Sequence, residues 1–158
     1  MTKLDSQVTG FKSIKKVERC IASMPELPHI IQADIINPKY NPLNDTIYMP
    51  MRFTSAIEYY SALFHELAHA TGNRKRLDRW YSLILKGTPE HAFEEMVAEM
   101  ASLFCLCRLQ IADDKMQEES IKYVTGWGMS LPDSDFNTAI QRATKMAERI
   151  RDYIFNQL

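Results

Sequence analysis

No apolar run in the chain approaches the roughly 20 residues that a helix needs to cross a bilayer, so a helical membrane span is excluded. The opening Met1-Thr2-Lys3-Leu4-Asp5 has no apolar core behind it, and no secretory signal is expected. An excess of charge of one sign is missing too. The 19 Lys and Arg stand against 20 Asp and Glu, a formal net charge of -1. That balance removes any global electrostatic case for nucleic-acid binding or for an acidic mimic of DNA. Cysteine is scarce and odd in number, at Cys20, Cys105 and Cys107. Cys105 and Cys107 are two apart on an expected helix and point different ways. The three therefore read as reduced core residues of an intracellular, cytoplasmic protein, not as a disulfide framework or a ligand set. No internal repeat, linker or low-complexity tract divides the 158 residues, a length that suits one domain with its own core.

What is present is mostly helical periodicity. Residues 1–12 read as a loose, flexible start, and 13–158 as the domain. Ile14, Val17, Ile21 and Met24 recur at helical spacing between Ser13 and Met24, and Pro25 and Pro28 end that segment. His29 to Ile36 is rich in β-branched residues and reads as a strand. Asn37 to Asp45 reads as a turn-rich loop, and Thr46 to Met49 as a second strand ended by Pro50; the two strands are expected to pair antiparallel. Ser55-x-x-Glu58 is a capping-box signature, and Gly72 suits the other end of the helix it opens. Thr88-Pro89-Glu90 opens a helix to about Leu109. Further helices are expected at Glu118–Leu131 and Ser134–Phe155, the last with Phe136, Ile140, Ala143, Ala147, Ile150 and Ile154 on one face. The fold class is α+β, mostly helical, with a small antiparallel sheet.

The chemistry concentrates in Tyr59–Gly72, which contains His65-Glu66-x-x-His69. Residues four apart on a helix lie about 40° apart around the axis, so both imidazoles can converge on one metal ion. Glu66 stands beside the ion without ligating it, where a base for an activated water belongs. A second helical segment, Ala92-Phe93-Glu94-Glu95-Met96-Val97-Ala98-Glu99, carries carboxylates among apolar neighbours, and buried carboxylates need a charged partner or strong hydrogen bonds. Zinc commonly takes three protein ligands and leaves a fourth position to water. His65, His69 and Glu95 complete such a set, and Glu99 can accept the N–H of a ligating histidine and fix its tautomer. This order resembles the thermolysin-like gluzincin arrangement. The alternative zincin pattern needs His or Asp six residues past the second histidine, where Lys75 stands and cannot serve.

Other residues compete for these roles. Glu94 rivals Glu95 as third ligand; His91 is a further candidate at the first turn of its helix. His29 reads as an ordinary strand residue. Arg74, Lys75, Arg76 and Arg79 either complement a helix C-terminus or form a patch for an anionic partner. Asp78 can ligate or can hold the basic loop through Arg76 or Arg79. Tyr123 is the candidate donor to a developing oxyanion, and a core aromatic beside Trp127 on the opposite reading.

Tyr59-Tyr60, His65-Glu66-Leu67-Ala68-His69-Ala70-Thr71-Gly72 and Arg76-Leu77-Asp78-Arg79, followed by Phe93-Glu94-Glu95-Met96-Val97-Ala98-Glu99-Met100, together resemble the zincin-like metallopeptidase domain of ArdC-type antirestriction proteins. Tyr40-Asn41-Pro42 with Asp45-x-Ile47-x-Met49-Pro50 resembles that family's hairpin, and Tyr123-x-x-x-Trp127 its later helix. The resemblance covers roughly residues 14–157. It implies a Zn2+ cofactor, hydrolysis of a protein or peptide substrate by metal-activated water, and carriage on plasmids, phages or other mobile elements. A strand of such a hairpin, at a sheet edge, can hold extended substrate by strand addition, and a plain structural hairpin is the other reading. Two departures stand out. Asn73 replaces the histidine that often follows Thr-Gly, and the residues before 13 are too few for the single-stranded-DNA-binding domain that often precedes this one. Direct nucleic-acid binding is therefore not expected of this chain. The alternative function is a non-catalytic metal-binding protein that acts on a host restriction or DNA-processing factor.

Overall fold

The computed structural model describes residues 11–79, 85–131 and 136–158. Its elements, in chain order, are α1 Lys15–Ser23, β1 His29–Ala33, β2 Lys39–Asn41, β3 Thr46–Pro50, α2 Ala56–Ala70, α3 Pro89–Arg108, α4 Asp114–Met129 and α5 Phe136–Ile154. Of the loose start expected at 1–12, residues 1–10 lie outside this description, as do Ser134 and Asp135 of the expected last helix; Phe11 packs its ring 5.2 Å from that of Tyr59. No helix among the described residues is long and apolar enough to cross a membrane.

The sheet is mixed, which corrects the expected antiparallel hairpin of two strands. Its order is β1-β3-β2. β1 and β3 run parallel, with His29 opposite Thr46 and Ala33 opposite Pro50. The antiparallel partner of β3 is β2, with Tyr40 opposite Ile47. β2 lies inside the stretch expected to be loop, because Pro38 and Pro42 bracket it and leave only three residues to show a strand pattern. The turn after it is built by Asn41, whose Oδ1 accepts the Leu43 N–H at 2.9 Å, and by Asp45, in the left-handed region at φ 51°. β3 is central and buried at Thr46, Ile47, Met49 and Pro50.

α2 is largely internal, with Tyr59, Tyr60, Leu63, Phe64, Leu67 and Ala68 all buried, so packing fixes it on all but one side. Ser55 caps it through the Glu58 N–H at 3.1 Å, while the Glu58 carboxylate takes the Thr54 N–H at 2.8 Å instead of completing the box at Ser55. The C-cap is Thr71, and Gly72 is not in the left-handed conformation expected of a terminal glycine. α3 starts as read, with Thr88 accepting the His91 N–H at 3.2 Å and Pro89 in the first turn. It packs against α2, α4 and α5. Ala139, Ala143 and Ala147 bring α5 close, with Ala139, not Ile140, fully inside. α4 begins at Asp114, earlier than the sequence suggests, because Asp113 caps it through the Met116 N–H at 2.8 Å. Cys20 and Cys105 are core residues, and Cys107 is exposed, against expectation.

Candidate metal centre

The last turns of α2 and the first half of α3 face each other across the centre of the molecule. His65 and His69 lie one turn apart on the α2 face that meets α3, and Glu95 rises between them. His65 Nε2 is 3.0 Å from His69 Nε2 and 3.3 Å from Glu95 Oε2; His69 Nε2 is 3.5 Å from Glu95 Oε1. These spacings carry the test of the donor set. Donors about 2.0–2.1 Å from one tetrahedral ion stand about 3.3 Å from each other. Two imidazole N–H groups cannot point at each other across 3.0 Å, so at least one of the two Nε2 atoms offers a lone pair. The three residues fit a metal ion, and they form a ligand group on geometry alone.

Each histidine is oriented from its far side. His65 Nδ1 is 3.2 Å from Glu99 Oε2, and Glu99 Oε1 accepts the Ser120 hydroxyl of α4 at 2.5 Å. His69 Nδ1 is 3.0 Å from Glu94 Oε1. Glu94, which competed with Glu95 for the metal, is therefore turned to the outer side of His69. Arg79 forks onto both Glu94 oxygens, with Nη2 3.0 Å from Oε1, and its Nη2 also donates to Ala68 O at 2.7 Å and to Thr71 Oγ1 at 3.1 Å. Arg76, with no side-chain exposure, grips both oxygens of Asp45 at 2.8 and 2.9 Å. These two arginines are engaged by carboxylates of the chain itself, which counts against the alternative that they belong to an anion-binding patch. The residues that hold them are Glu94 and Asp45, not Asp78, which sits in a turn at φ 49°.

Charge follows the geometry. Burial works against a proton on His65, but the Glu95 and Glu99 carboxylates outweigh it and raise its pKa to about 10 in the metal-free chain. Burial pushes the Glu95 carboxyl up, yet hydrogen bonds from His65 and His69 hold it well below the usual carboxylate range. Glu94 is held low against burial by His69 and Arg79.

Glu66 is buried, 8% exposed, and opens on a cleft of about 590 Å³ that runs along α2 and is walled by the start of α4. Tyr123 also lines this cleft, 46% exposed, with its ring 6.0 Å from that of Trp127. Burial, with the Glu95, Glu99 and Glu66 carboxylates, raises its hydroxyl pKa against the opposing pull of the Trp127 indole. His91 Nε2 is 3.4 Å from Glu95 Oε1, the oxygen that also stands 3.5 Å from His69 Nε2, and its ring meets Trp127 edge-on. His29 is exposed on β1, and Lys75 is 62% exposed near Asp45. Sequence reasoning missed Arg79 and Ser120 as partners of the site. The one signal for the first was that a buried Glu94 demands a cation.

Known proteins are similar to this chain in sequence and in fold. Over 158 residues the chain is 31% identical to a DNA primase TraC of Escherichia coli, covering 94% of this chain and 14% of that protein. A second E. coli TraC is 38% identical over 117 residues, 73% of this chain and 8% of that protein. The uncharacterized protein y4eC of Sinorhizobium fredii is 31% identical over 120 residues, 75% of this chain and 38% of that protein. The chain thus spans a minor part of each relative's length. Among solved structures, the Mn(II)-bound antirestriction protein ArdC of plasmid R388 superposes with a TM-score of 0.69 at 28% identity, over 92% of this chain and 53% of that one; its metal-free form gives 0.64. A family model described as zincin-like metallopeptidase matches residues 22–146, which take in the two histidines and all the carboxylates around them, and the chain belongs to that family.

Proposed function

We infer that the protein is a zinc-dependent peptidase of the antirestriction type, with His65, His69 and Glu95 as ligands. The observation that carries this reading is Glu66: a carboxylate buried beside the ligand group, opening on a substrate-sized cleft, with no hydrogen bond or ion pair among the described residues to give it a structural task. Two imidazoles and one carboxylate with room for a further ligand suit catalytic zinc. When bound, the ion supplies a Lewis acid that acidifies water and polarises a carbonyl. Glu66 takes the proton of the attacking water and returns it to the departing amine. Glu99 and Glu94 fix the Nδ1–H tautomers, leaving both Nε2 lone pairs toward the ion. Tyr123 stays protonated at neutral pH and donates to the carbonyl oxygen as it becomes anionic.

A second reading rests on the similarity to ArdC, an antirestriction protein whose crystal structure carries Mn(II), and on the similarity to TraC. On that reading the metal centre is structural, and the protein protects incoming DNA by binding a host restriction or DNA-processing factor. Glu66→Gln separates the two. The amide keeps the shape and the metal, and loss of a general base costs about 10²–10⁴ in rate. Peptidase action requires Glu66→Gln to bind metal with wild-type stoichiometry, to lose hydrolysis in a proteome-wide cleavage screen, and to lose protection in a restricting cell. Full protection by the variant, with no cleaved host protein for the wild type, refutes the enzyme. Elemental analysis of protein purified without added metal tests zinc; manganese at full occupancy with no zinc refutes it.

A further inference from the structure

Two of the three inward donors have an outer partner, Glu99 for His65 and Glu94 for His69. The third donor, Glu95, has a second oxygen to satisfy. Its Oε2 lies 3.3 Å from His65 Nε2, and its Oε1 lies 3.5 Å from His69 Nε2 and 3.4 Å from His91 Nε2. Among the described residues, these three imidazoles are what reaches it. Once the Nε2 lone pairs of His65 and His69 are turned to an ion, neither ring can donate to Glu95. A carboxylate that ligates through one oxygen leaves the other needing a donor. His91 is the donor that remains.

The local structure aims His91 at that oxygen. It stands on α3 one turn before Glu95, so the two side chains share a face. Its backbone N–H is held by the Thr88 cap at 3.2 Å, and its ring is braced edge-on by Trp127 of α4, centroids 5.5 Å apart. The His91 Nδ1 atom is buried and has no hydrogen-bond partner among the described residues. A neutral imidazole carries its proton on one nitrogen only. A proton on Nδ1 would strand a buried N–H and set the Nε2 lone pair against a carboxylate oxygen. A proton on Nε2 leaves only a bare lone pair inside and gives Glu95 its donor. His91 is not among the residues that line the cleft, so its partner is the centre and not a bound chain.

Resting on the ligand set of the peptidase reading and not on hydrolysis, we propose that His91 is a positioning residue for the third ligand. Its Nε2–H holds Glu95 Oε1 and keeps Glu95 a ligand through one oxygen. That leaves the further coordination position open to water and substrate.

His91→Phe keeps a ring against Trp127 and removes the donor, and His91→Gln restores an N–H at similar reach. Zinc affinity, read by chelator competition, is expected to fall about 10-fold in His91→Phe with one ion still bound, and to return to within about 3-fold of wild type in His91→Gln. With cobalt(II) as probe metal, the visible d–d absorption of His91→Phe should weaken as Glu95 closes on the ion with both oxygens and the coordination number rises. His91→Gln should keep the wild-type spectrum. Nitrogen-15 NMR of the zinc-loaded wild type, which has four histidines, is expected to show His91 protonated at Nε2 and bare at Nδ1, with the exposed His29 identified through His29→Gln. Unchanged affinity and spectrum in His91→Phe, equal losses in His91→Phe and His91→Gln, or a proton on His91 Nδ1 overturns the proposal. Zinc affinity unchanged in Glu95→Gln overturns the ligand set, and the proposal with it. Zinc held as expected with no hydrolysis of any peptide sinks the peptidase reading and leaves the role of His91 standing.

Discussion

Loading the metal should expel a proton, and the structure says how many. Both Nδ1 atoms of the histidine pair are committed to carboxylates, His65 to Glu99 and His69 to Glu94. The two Nε2 atoms stand 3.0 Å apart, so no more than one of them carries a proton in the metal-free chain. With the His65 pKa raised to about 10, that proton is present throughout the neutral range. A metal ion has to displace it. The apparent metal affinity is therefore expected to rise about 10-fold per pH unit from about pH 6 to 9, or 1.4 kcal/mol per unit, and to level off near the folded pKa. Calorimetric titration with zinc at pH 7, in buffers of different ionisation enthalpy, should return about one proton released per ion. A slope that flattens near the ordinary histidine value of 6.5, or a proton count near zero, refutes the reasoning. Stability of the metal-free chain runs the other way. A folded pKa above the unfolded one stabilises fully below about 6.5, and that contribution is lost as pH climbs through about 10. The depressed Glu94 and Glu95 contribute above the ordinary carboxylate value of 4.5 and lose their contribution as pH falls below it. Metal-free protein should melt highest between about pH 4.5 and 6.5.

Glu94→Gln and Arg79→Met are each expected to weaken metal binding about 10–100-fold while leaving stoichiometry at one, read by chelator competition; unchanged affinity shows that Glu94 does not orient His69. Asp45→Ala strands the fully buried Arg76 guanidinium and should cost about 3 kcal/mol in urea unfolding, far more than loss of an exposed pair. Phe64→Ala, in the buried middle of α2, should cost about 3–5 kcal/mol by the same assay, and a loss under 1 kcal/mol contradicts its place in the core.

The parts of the site legible in the sequence are those fixed by spacing along one helix. His65, Glu66 and His69 follow from the turn of α2, and Glu95 and Glu99 from that of α3, because both helices declare themselves by caps and by apolar neighbours. What stayed illegible depends on the path of the chain between elements. β2 has three residues and two flanking prolines, too few for a period of two to register. The parallel pairing of β1 with β3 rests on that hidden strand, since β2 occupies the antiparallel side of β3. Arg79 reaches Glu94 only because the loop after α2 turns back, with the Arg79 N–H on Gly72 O at 2.9 Å.

The role of Glu94 follows once helix geometry and charge are taken together. On α3, Glu94 lies about 100° from Glu95, and Glu99 about 40° from it on the next turn. Glu95 alone faces the shared edge of both imidazoles, and its two neighbours reach their outer nitrogens. Glu66, Glu94, Glu95 and Glu99 thus stand around the two histidines, and among the described residues the guanidinium in contact with them is that of Arg79, on Glu94. Glu66 and Glu94 are buried and Glu95 and Glu99 half-buried, so the group needs positive charge nearby, and one shared imidazole proton supplies too little of it. A divalent ion at the three inward donors would supply the balance. The same charge that would activate water is thus what allows four carboxylates to stand together in the interior, and stripping the metal should loosen the facing turns of α2 and α3 before any other part of the molecule.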